Sequence, residues 1–305
     1  MDVKNIAEVS KEEIKEFFDS FDNVVFDCDG VLWHVKQPLP GVKECLEALK
    51  KLGKGLKFVT NNSVRSQKNY EMMFESLGVE IQEDDLIHPV RAIIKHLKEI
   101  DFHGLIYCVG SSTFKNCLKD AGYELIDDPM ELMPEDFVFA VQAIRAPAPV
   151  KAVIVDVDFN NCHPKCARAA YFLTDPEVLF IAGASDLRLP LKKNVSILGP
   201  GYFTRIIEEH AERKAMRFSK PSPELAEQVV ANAGKRCLFI GDMLEQDMGF
   251  ANDCGYKKML VLSGGTSKQE LLELEMDSPL KPDFYGNSLQ DLLLAAQMLQ
   301  GQFLL

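Results

Sequence analysis

The chain has 305 residues, of which 47% are hydrophobic and 26% are charged. This length exceeds that of a common single domain, so one large or two moderate domains are expected. The net charge of −12 argues against a general binder of nucleic acids or anionic membranes, although a local cationic site can still bind an anionic substrate.

No segment of the sequence is typical of a secreted or membrane-spanning protein. The N-terminus is charged, and no apolar run approaches the length of a membrane span. Eight cysteines are scattered through a chain large enough to build its own core, which favours reduced, mostly buried thiols in a cytoplasmic protein. Cys162, His163 and Cys166 invite a zinc interpretation, but no second ligand pair has a matching spacing, so the start of a helix is favoured.

The first hundred residues alternate between helix and strand patterns. Residues 5–21 are prone to form a helix, with Ser10 and Glu13 as a possible capping box. Residues 24–26 form an apolar run typical of a strand buried on both faces of a parallel sheet. The pattern then predicts a helix at 42–52, a strand at 56–60 and helices at 70–77 and 89–100. This alternation indicates a doubly wound α/β domain, whose ligands bind beyond the carboxyl ends of the strands.

The middle of the chain repeats the alternation without a similar pair of carboxylates. Strands are predicted at 105–109, 137–142, 153–157 and 178–182, with helices at 114–121 and 165–173. The first pattern then resumes, with helices at 223–233 and 289–299 and strands at 236–240 and 258–262. We therefore expect a parallel-sheet core formed by residues 1–101 and 211–305, with an inserted α/β domain at 102–210.

Two carboxylates end the first strand of the predicted core. Asp27 and Asp29 are two residues apart, so in an extended chain they point to one side while Cys28 points to the other. Gly30 allows the chain to turn away immediately afterwards. Two acids at the end of a buried strand are costly unless a partner holds them, and a hard divalent cation is a suitable partner.

Polar residues also follow the other strands of this core. Lys220 lies just before Pro221 and Pro223, and Pro223 can open a helix. The run at 237–241 repeats the first design, because it ends at an aspartate. Since the carboxyl ends of parallel strands meet at one edge, we expect a cluster there that contains Asp27, Asp29, Thr60, Asn61, Lys220, Asp242 and Asp247.

These residue types suit the hydrolysis of a phosphate ester. Asp27, Asp242, a backbone carbonyl and water can supply the oxygen ligands that Mg²⁺ prefers. The metal and Lys220 offset the charge of the phosphoryl group. Asp27 can then attack phosphorus, while Asp29 protonates the leaving oxygen and later serves as the base for water. Neutral donors for the phosphoryl oxygens come from Thr60, Asn61 and the adjacent Asn62.

As a set, these motifs resemble those of the haloacid-dehalogenase-like (HAD-like) phosphatases. Within that family, the stretches at 30–33, 58–63 and 220–222 are similar to the p-nitrophenylphosphatase, phosphoglycolate phosphatase and pyridoxal-phosphate phosphatase group. The resemblance covers nearly the whole chain. It implies a magnesium-dependent phosphatase with a Rossmann-like core, a large α/β cap and a homodimer joined through the caps.

The resemblance also assigns roles to individual residues. It implies that the backbone carbonyl of Asp29 is a metal ligand and that Asp247 supports the metal from just outside its ligands. It further implies that Asp186 reaches from the cap to select the leaving group of the substrate; an ordinary polar loop is the alternative interpretation at that position.

The chain departs from the family's pattern at several positions. The usual Gly-Asp-Arg-Leu-(Asp/Glu)-Thr-Asp has Met243 and Gln246 in place of the arginine and threonine, and Lys220 follows a serine instead of a glycine. In the predicted cap, a Thr-Asn-x-Asp loop is Gly-Ala-Ser-Asp at 183–186, and a Gly-Phe-Asp turn is Asp-Val-Asp at 156–158. Because the carboxylates and the lysine are retained, these departures bear on substrate choice and rate more than on reaction type.

Three functions are compatible with these residues. The leading one is a phosphomonoesterase acting on small phosphorylated metabolites, of the phosphoglycolate, glycerol phosphate, pyridoxal phosphate or p-nitrophenyl phosphate class. Dehalogenation is disfavoured by Asp29, because a halide leaving group needs no proton. The third function is a binding or scaffold protein that has kept the fold, which the changes at Met243, Gln246 and 183–184 motivate.

Overall fold

The computed structural model describes residues 3–130, 132–145, 148–192 and 195–301. Its strands are β1 (Lys4–Asn5), β2 (Asn23–Phe26), β3 (Trp33–His34), β4 (Gln37–Pro38), β5 (Gly55–Val59), β6 (Leu86–Ile87), β7 (Leu105–Val109), β8 (Val150–Val155), β9 (Leu179–Ala182), β10 (Arg188–Lys192), β11 (Val195–Leu198), β12 (Met216–Arg217), β13 (Cys237–Gly241), β14 (Lys257–Val261) and β15 (Phe284–Gly286). Its α-helices are α1 (Lys11–Asp19), α2 (Val42–Lys51), α3 (Gln67–Ser76), α4 (Pro89–Glu99), α5 (Ser112–Asp120), α6 (Phe137–Ile144), α7 (His163–Phe172), α8 (Pro200–Ala211), α9 (Pro223–Ala233), α10 (Gly249–Asp253), α11 (Lys268–Leu272) and α12 (Leu289–Gln300).

The chain divides into two compact units. The first comprises the described residues up to Thr60, Gln67–Ile87 and the chain from Lys220 onward, and the second comprises Asn61–Ser66 and His88–Ser219. These limits differ from the predicted boundaries at 101/102 and 210/211. Helix α4 packs against α5, and β12 pairs with β9, so both elements belong to the second unit.

A seven-stranded parallel sheet forms the centre of the first unit. Its order is β1-β15-β14-β13-β2-β5-β6. Strands β2 and β13 are apolar and buried, as expected for strands covered on both faces. On one face α12 packs against α1 and α2, and their apolar residues join the core cluster that contains Phe17, Leu49 and Leu292.

The order of this sheet reverses at β2. From β2 the chain proceeds to β5 and β6 on one side, whereas β13, β14 and β15 extend from β2 on the other side. In doubly wound folds such a reversal leaves a crevice beyond the carboxyl ends of the strands, where ligands bind. The predicted α/β fold class is confirmed, and β13, β2 and β5 are adjacent at this crevice.

The second unit has its own parallel sheet. Strand order is β12-β9-β8-β7, and a separate antiparallel hairpin pairs β10 with β11. A core of Tyr107, Val153, Phe172 and Ile207 forms within this unit. Residues 137–142, predicted as a strand, instead lie in helix α6. Asp136 caps this helix, because its carboxylate accepts a hydrogen bond from the Phe139 N–H at 2.7 Å.

Several local predictions are confirmed. Ser10 and Glu13 form the capping box of α1. Helix α9 starts at Pro223, and the Ser222 hydroxyl accepts a hydrogen bond from the Leu225 N–H. Helix α7 begins directly after Cys162, and all eight cysteines are free thiols. Among the described residues, the helices fall short of the length and apolar character that crossing a bilayer requires.

Candidate active site

The site is built around Asp27, which directly follows β2. Parallel pairing sets Phe26 opposite Ile240, and the Asp27 N–H donates to the Ile240 carbonyl at 2.8 Å. This pairing brings the carboxyl end of β2 beside that of β13, where Asp242 follows Gly241. Asp27 and Asp242 are only 7% and 6% exposed, so both carboxylates lie in a largely buried environment at the ends of their strands.

Lys220 links Asp27 to a third carboxylate. Its ammonium Nζ lies 2.5 Å from Asp27 Oδ1 and 2.7 Å from Asp247 Oδ1. Lys220 is itself only 2% exposed. A buried ammonium is costly without partners, and here two carboxylates share it. The lysine therefore fixes the separation between the strand carrying Asp27 and the turn carrying Asp247.

Asp247 lies in a π-helical turn at Leu244–Met248 that follows β13. Its second carboxylate oxygen, Oδ2, accepts hydrogen bonds from the N–H groups of Asp242 and Met243, each at 3.0 Å. A Cβ added at Gly241 would lie 2.2 Å from the Asp247 Cβ, so only glycine allows this close approach. Met243 stands where the resemblance implies an arginine, but the bond to Asp247 comes from the Met243 backbone and does not depend on that side chain.

Asp242 is enclosed by glycines. Added Cβ atoms at Gly30 and Gly264 would lie 2.5 and 1.9 Å from Asp242 Oδ2. The Gly265 N–H donates to the same oxygen at 2.5 Å, and the Thr266 N–H donates to the Asp242 carbonyl at 3.0 Å. The loop after β14 thus holds the Asp242 side chain and backbone at once. We define Gly30, Gly264 and Gly265 as the glycine collar.

The glycine collar was missed by the sequence analysis. Gly30 was noted there only for the turn it allows, and neither Gly264 nor Gly265 was assigned a role. The position of Gly264 and Gly265, three and four residues beyond the end of β14, was the available signal, because β14 is next to β13 and ligand-binding loops of this fold follow strand ends. The Ser263 hydroxyl adds a further connection, since it donates to the Gly30 carbonyl at 2.7 Å.

Burial and mutual repulsion raise the pKa values of Asp27 and Asp242. Burial raises the pKa of Asp27 well above its usual range; Lys220 opposes this shift, while Asp247 and Asp242 add to it. Burial, followed by the charge of Asp247, raises the pKa of Asp242 to about 7. Burial alone would lower the pKa of Lys220, but Asp247 and Asp27 outweigh it and raise that pKa. The lysine therefore stays charged, and the acids need further positive charge to ionise together.

The donor set fits a hard divalent cation. Asp27, Asp242 and Asp247 each offer a carboxylate oxygen, and these three atoms lie within 4.8 Å of one another. Three ionised carboxylates against one ammonium leave an excess of two negative charges, because 3 − 1 = 2. Oxygen ligands with this charge are what Mg²⁺ binds in phosphate-handling sites. The residues present therefore fit an ion of this kind.

The other predicted residues are distributed over both units. Thr60 directly follows β5, is buried, and belongs to the first unit, and its N–H donates to the Ile87 carbonyl at 3.0 Å. Asp29 is half-buried in the turn after Asp27, where it forms a bridge with Trp33. Asn61, Asn62 and Asp186 belong to the second unit.

We predict that Gly264→Ala weakens metal binding by about 10- to 100-fold, the range typical when groups that hold a metal ligand are disturbed. The new Cβ overlaps Asp242 Oδ2 and must displace that carboxylate. Gly249→Ala is the matched control, because the nearest atom to its added Cβ is the Leu280 Cδ2 at 3.3 Å. Isothermal titration with Mg²⁺ measures the effect, and equal affinities in both variants would contradict the role of the glycine collar.

Comparison with known proteins identifies the family. Two family models match, "Haloacid dehalogenase-like hydrolase" over residues 24–124 and "HAD-hydrolase-like" over residues 217–292. The 4-nitrophenylphosphatase of Schizosaccharomyces pombe is 30% identical over 93% of this chain and 97% of its own length. Human chronophin is 31% identical over 88% of this chain and 91% of its own.

Solved structures share the fold. The 4-nitrophenylphosphatase of Thermotoga maritima superposes with a TM-score of 0.75 over 92% of this chain and 99% of its own, at 25% identity. A glycerol phosphate phosphatase from Mycobacterium tuberculosis, solved in complex with magnesium, gives a TM-score of 0.70 at 21% identity, over 95% of this chain and 78% of its own. The chain belongs to the haloacid dehalogenase-like hydrolase family and is a phosphatase of that family.

Proposed function

We propose that this phosphatase is a magnesium-dependent phosphomonoesterase that works through an aspartyl-phosphate on Asp27. The observation that carries the proposal is the buried cluster of Asp27, Asp242 and Asp247 around the Lys220 ammonium, at the carboxyl ends of adjacent parallel strands. When bound, Mg²⁺ would be held by Asp27, Asp242 and the Asp29 carbonyl, with Asp247 supporting them, and would offset the charge of the phosphoryl group.

The chain's own residues supply the two chemical steps. In the first, a carboxylate oxygen of Asp27 forms a bond to phosphorus as the bond to the leaving oxygen breaks, and Asp29 donates a proton to that oxygen. In the second, Asp29 takes a proton from water, whose oxygen bonds to phosphorus as the Asp27–phosphorus bond breaks. Inorganic phosphate leaves, and both aspartates return to their starting protonation states.

Lys220 holds Asp27 for the first step. Its ammonium bonds to Asp27 Oδ1 at 2.5 Å, which orients the carboxylate and favours its ionised form. Because Lys220 is also tied to Asp247, it cannot turn away from Asp27 without breaking a second buried ion pair. Thr60, Asn61 and Asn62 are proposed to donate hydrogen bonds to the phosphoryl oxygens.

The substrate is proposed to be a small phosphorylated metabolite. Relatives of similar length are named 4-nitrophenylphosphatase, phosphoglycolate phosphatase 2 and glycerol-3-phosphate phosphatase. The first unit is proposed as the catalytic core and the second as the cap, where Asp186 selects the leaving group. The second candidate function is a catalytically weakened member of this phosphatase family that acts as a binding or scaffold protein, which the replacements at Met243 and Gln246 motivate.

A homodimer and a cytoplasmic location are further parts of this proposal. The second unit exposes large apolar side chains that a partner copy would cover, among them Leu132, Phe137, Val138 and Leu198. Eight free thiols are in keeping with a reducing compartment. Light scattering on the purified chain measures its oligomeric state, and the mass of a single chain would remove the homodimer from the proposal.

Asp27→Asn should lower turnover by about a thousandfold or more, as removal of a nucleophile does in other hydrolases. The amide has nearly the same shape but is a poor nucleophile and metal ligand. Phosphate release is measured with and without Mg²⁺ on p-nitrophenyl phosphate, phosphoglycolate, glycerol phosphate and pyridoxal phosphate. Asp277→Asn, an exposed aspartate of the same unit, is the control and should retain full activity.

Two outcomes of this assay would contradict the proposal. Retention of more than a few per cent of turnover in Asp27→Asn would remove Asp27 as the nucleophile. A wild-type chain that binds Mg²⁺ yet releases no phosphate from any of these esters would favour the scaffold function.

Asp29→Asn should lower turnover by about 10²- to 10⁴-fold on alkyl phosphates, the range of general acid catalysis, but far less on p-nitrophenyl phosphate. Nitrophenolate leaves without a proton, whereas an alkoxide needs one. The comparison uses kcat on glycerol phosphate and p-nitrophenyl phosphate with the same variant. An equal loss on both substrates would show that Asp29 is not the acid.

A further inference from the structure

A buried carboxylate of the second unit has no role in the chemistry described above. Asp156 directly follows β8 and is 2% exposed. It accepts hydrogen bonds from the Ser63 hydroxyl, from the Val157 N–H at 2.6 Å and from the Ala184 N–H at 2.7 Å. Burial raises the pKa of Asp156 to about 6, although these three hydrogen bonds oppose the shift. A buried acid is costly, so its retention calls for a reason.

Two of its donors lie in segments that are far apart in the sequence. Ser63 belongs to the segment Asn61–Ser66, which also carries Asn61 and Asn62. Ala184 belongs to the loop between β9 and β10, which carries Asp186. Because both segments and β8 lie in the second unit, one carboxylate connects them inside a single compact body. The two segments are the ones proposed to bind the phosphoryl group and to select the leaving group.

Gly183 provides the space for this carboxylate. A Cβ added at Gly183 would lie 2.0 Å from Asp156 Oδ2 and 2.9 Å from its Cγ. The backbone of Gly183 is itself fixed, since its N–H donates to the Val155 carbonyl at 2.9 Å. A larger residue at position 183 would therefore overlap the Asp156 carboxylate, so this position requires glycine. Asp156 and Gly183 form a complementary pair, and both are positions where the chain departs from the pattern given in the sequence analysis.

We infer that Asp156 is a positioning residue that holds the Asn61–Ser66 segment and the 183–186 loop in one arrangement, with Gly183 as the residue that admits it. The hydrogen-bonded connection stands on geometry alone. Only the effect on substrate binding rests on the proposed function, because that function assigns the roles of Asn61, Asn62 and Asp186.

Asp156→Asn tests the inference with little change of volume. An amide offers one acceptor oxygen and one NH₂ donor in place of two acceptors, so it cannot accept from both the Val157 and the Ala184 N–H, which bond to different carboxylate oxygens. The hydrogen bonds that remain, including the one with Ser63, lose the charge of the carboxylate and are weaker. Hydrogen exchange in the peptides covering 61–66 and 183–187 should accelerate about tenfold, the effect of one lost buried hydrogen bond. With substrate, KM should rise more than kcat falls. The control is Asp175→Asn, an exposed aspartate of the same unit that accepts one backbone hydrogen bond, and it should change neither quantity.

Gly183→Ala tests the complementary half of the pair. It should accelerate exchange in the same two peptides, because its Cβ displaces the Asp156 carboxylate. In an Asp156→Gly background, where that space is vacant, Gly183→Ala should add little further change, and this non-additivity is the signature of a direct steric pair. Additive effects in the double variant would overturn the assignment of Gly183.

The exchange measurement is made without substrate, so it separates the two proposals. Unchanged exchange in both peptides of Asp156→Asn, or acceleration spread evenly over the second unit, would overturn the positioning role even if turnover is normal. Acceleration confined to the two peptides would support that role even if the chain hydrolyses none of the phosphate esters tested.

Discussion

The ion pairs of Lys220 are the interaction on which the site depends. One buried ammonium lies between Asp27 at the end of β2 and Asp247 in the turn after β13, at 2.5 and 2.7 Å. Removing one partner of a buried ion pair typically costs about 3–5 kcal/mol, because the remaining charge stays buried and unpaired. The parallel sheet, the π-helical turn and the start of α9 are therefore held to one geometry. That geometry also leaves the excess negative charge that a divalent cation can neutralise.

The replacement of the family's arginine by Met243 leaves this arrangement intact. Met243 supports Asp247 through its backbone N–H, so any residue with a free N–H can do so at that position. Its side chain instead points toward the loop after β14, where an added Cβ at Gly265 would lie 2.0 Å from the Met243 sulfur. We therefore expect the exchange of arginine for methionine to affect that loop more than the carboxylate cluster.

Much of the first unit was predictable from the sequence, because the relevant patterns are local. The buried runs that become β2 and β13 each end at an aspartate, and parallel pairing alone then brings Asp27 and Asp242 together. Residues 137–142 were misjudged as a strand, because a short apolar run does not distinguish the two structures. The helix cap at Asp136 was the better signal. The boundaries of the units also differed, since the pairing of β12 with β9 joins segments more than thirty residues apart.

Contacts of the second unit were beyond the reach of the sequence patterns. Ser63 and Asp156 are separated by 93 residues, and Asp156 and Ala184 by 28, so no local pattern links them. The glycines at 183 and 264 likewise have a reason only once a carboxylate is seen to fill the space beside them. In both units a glycine leaves the space that a buried carboxylate fills, and such pairs become visible only in three dimensions.

The most direct test of the account is to trap the covalent intermediate. Rapid acid quench during turnover, borohydride reduction and peptide mass spectrometry convert an aspartyl-phosphate to homoserine at the position that carried it. We predict homoserine at position 27, dependent on both Mg²⁺ and substrate. Homoserine at the position of another acid, or no homoserine while wild-type turnover proceeds, would contradict the central claim that Asp27 attacks phosphorus.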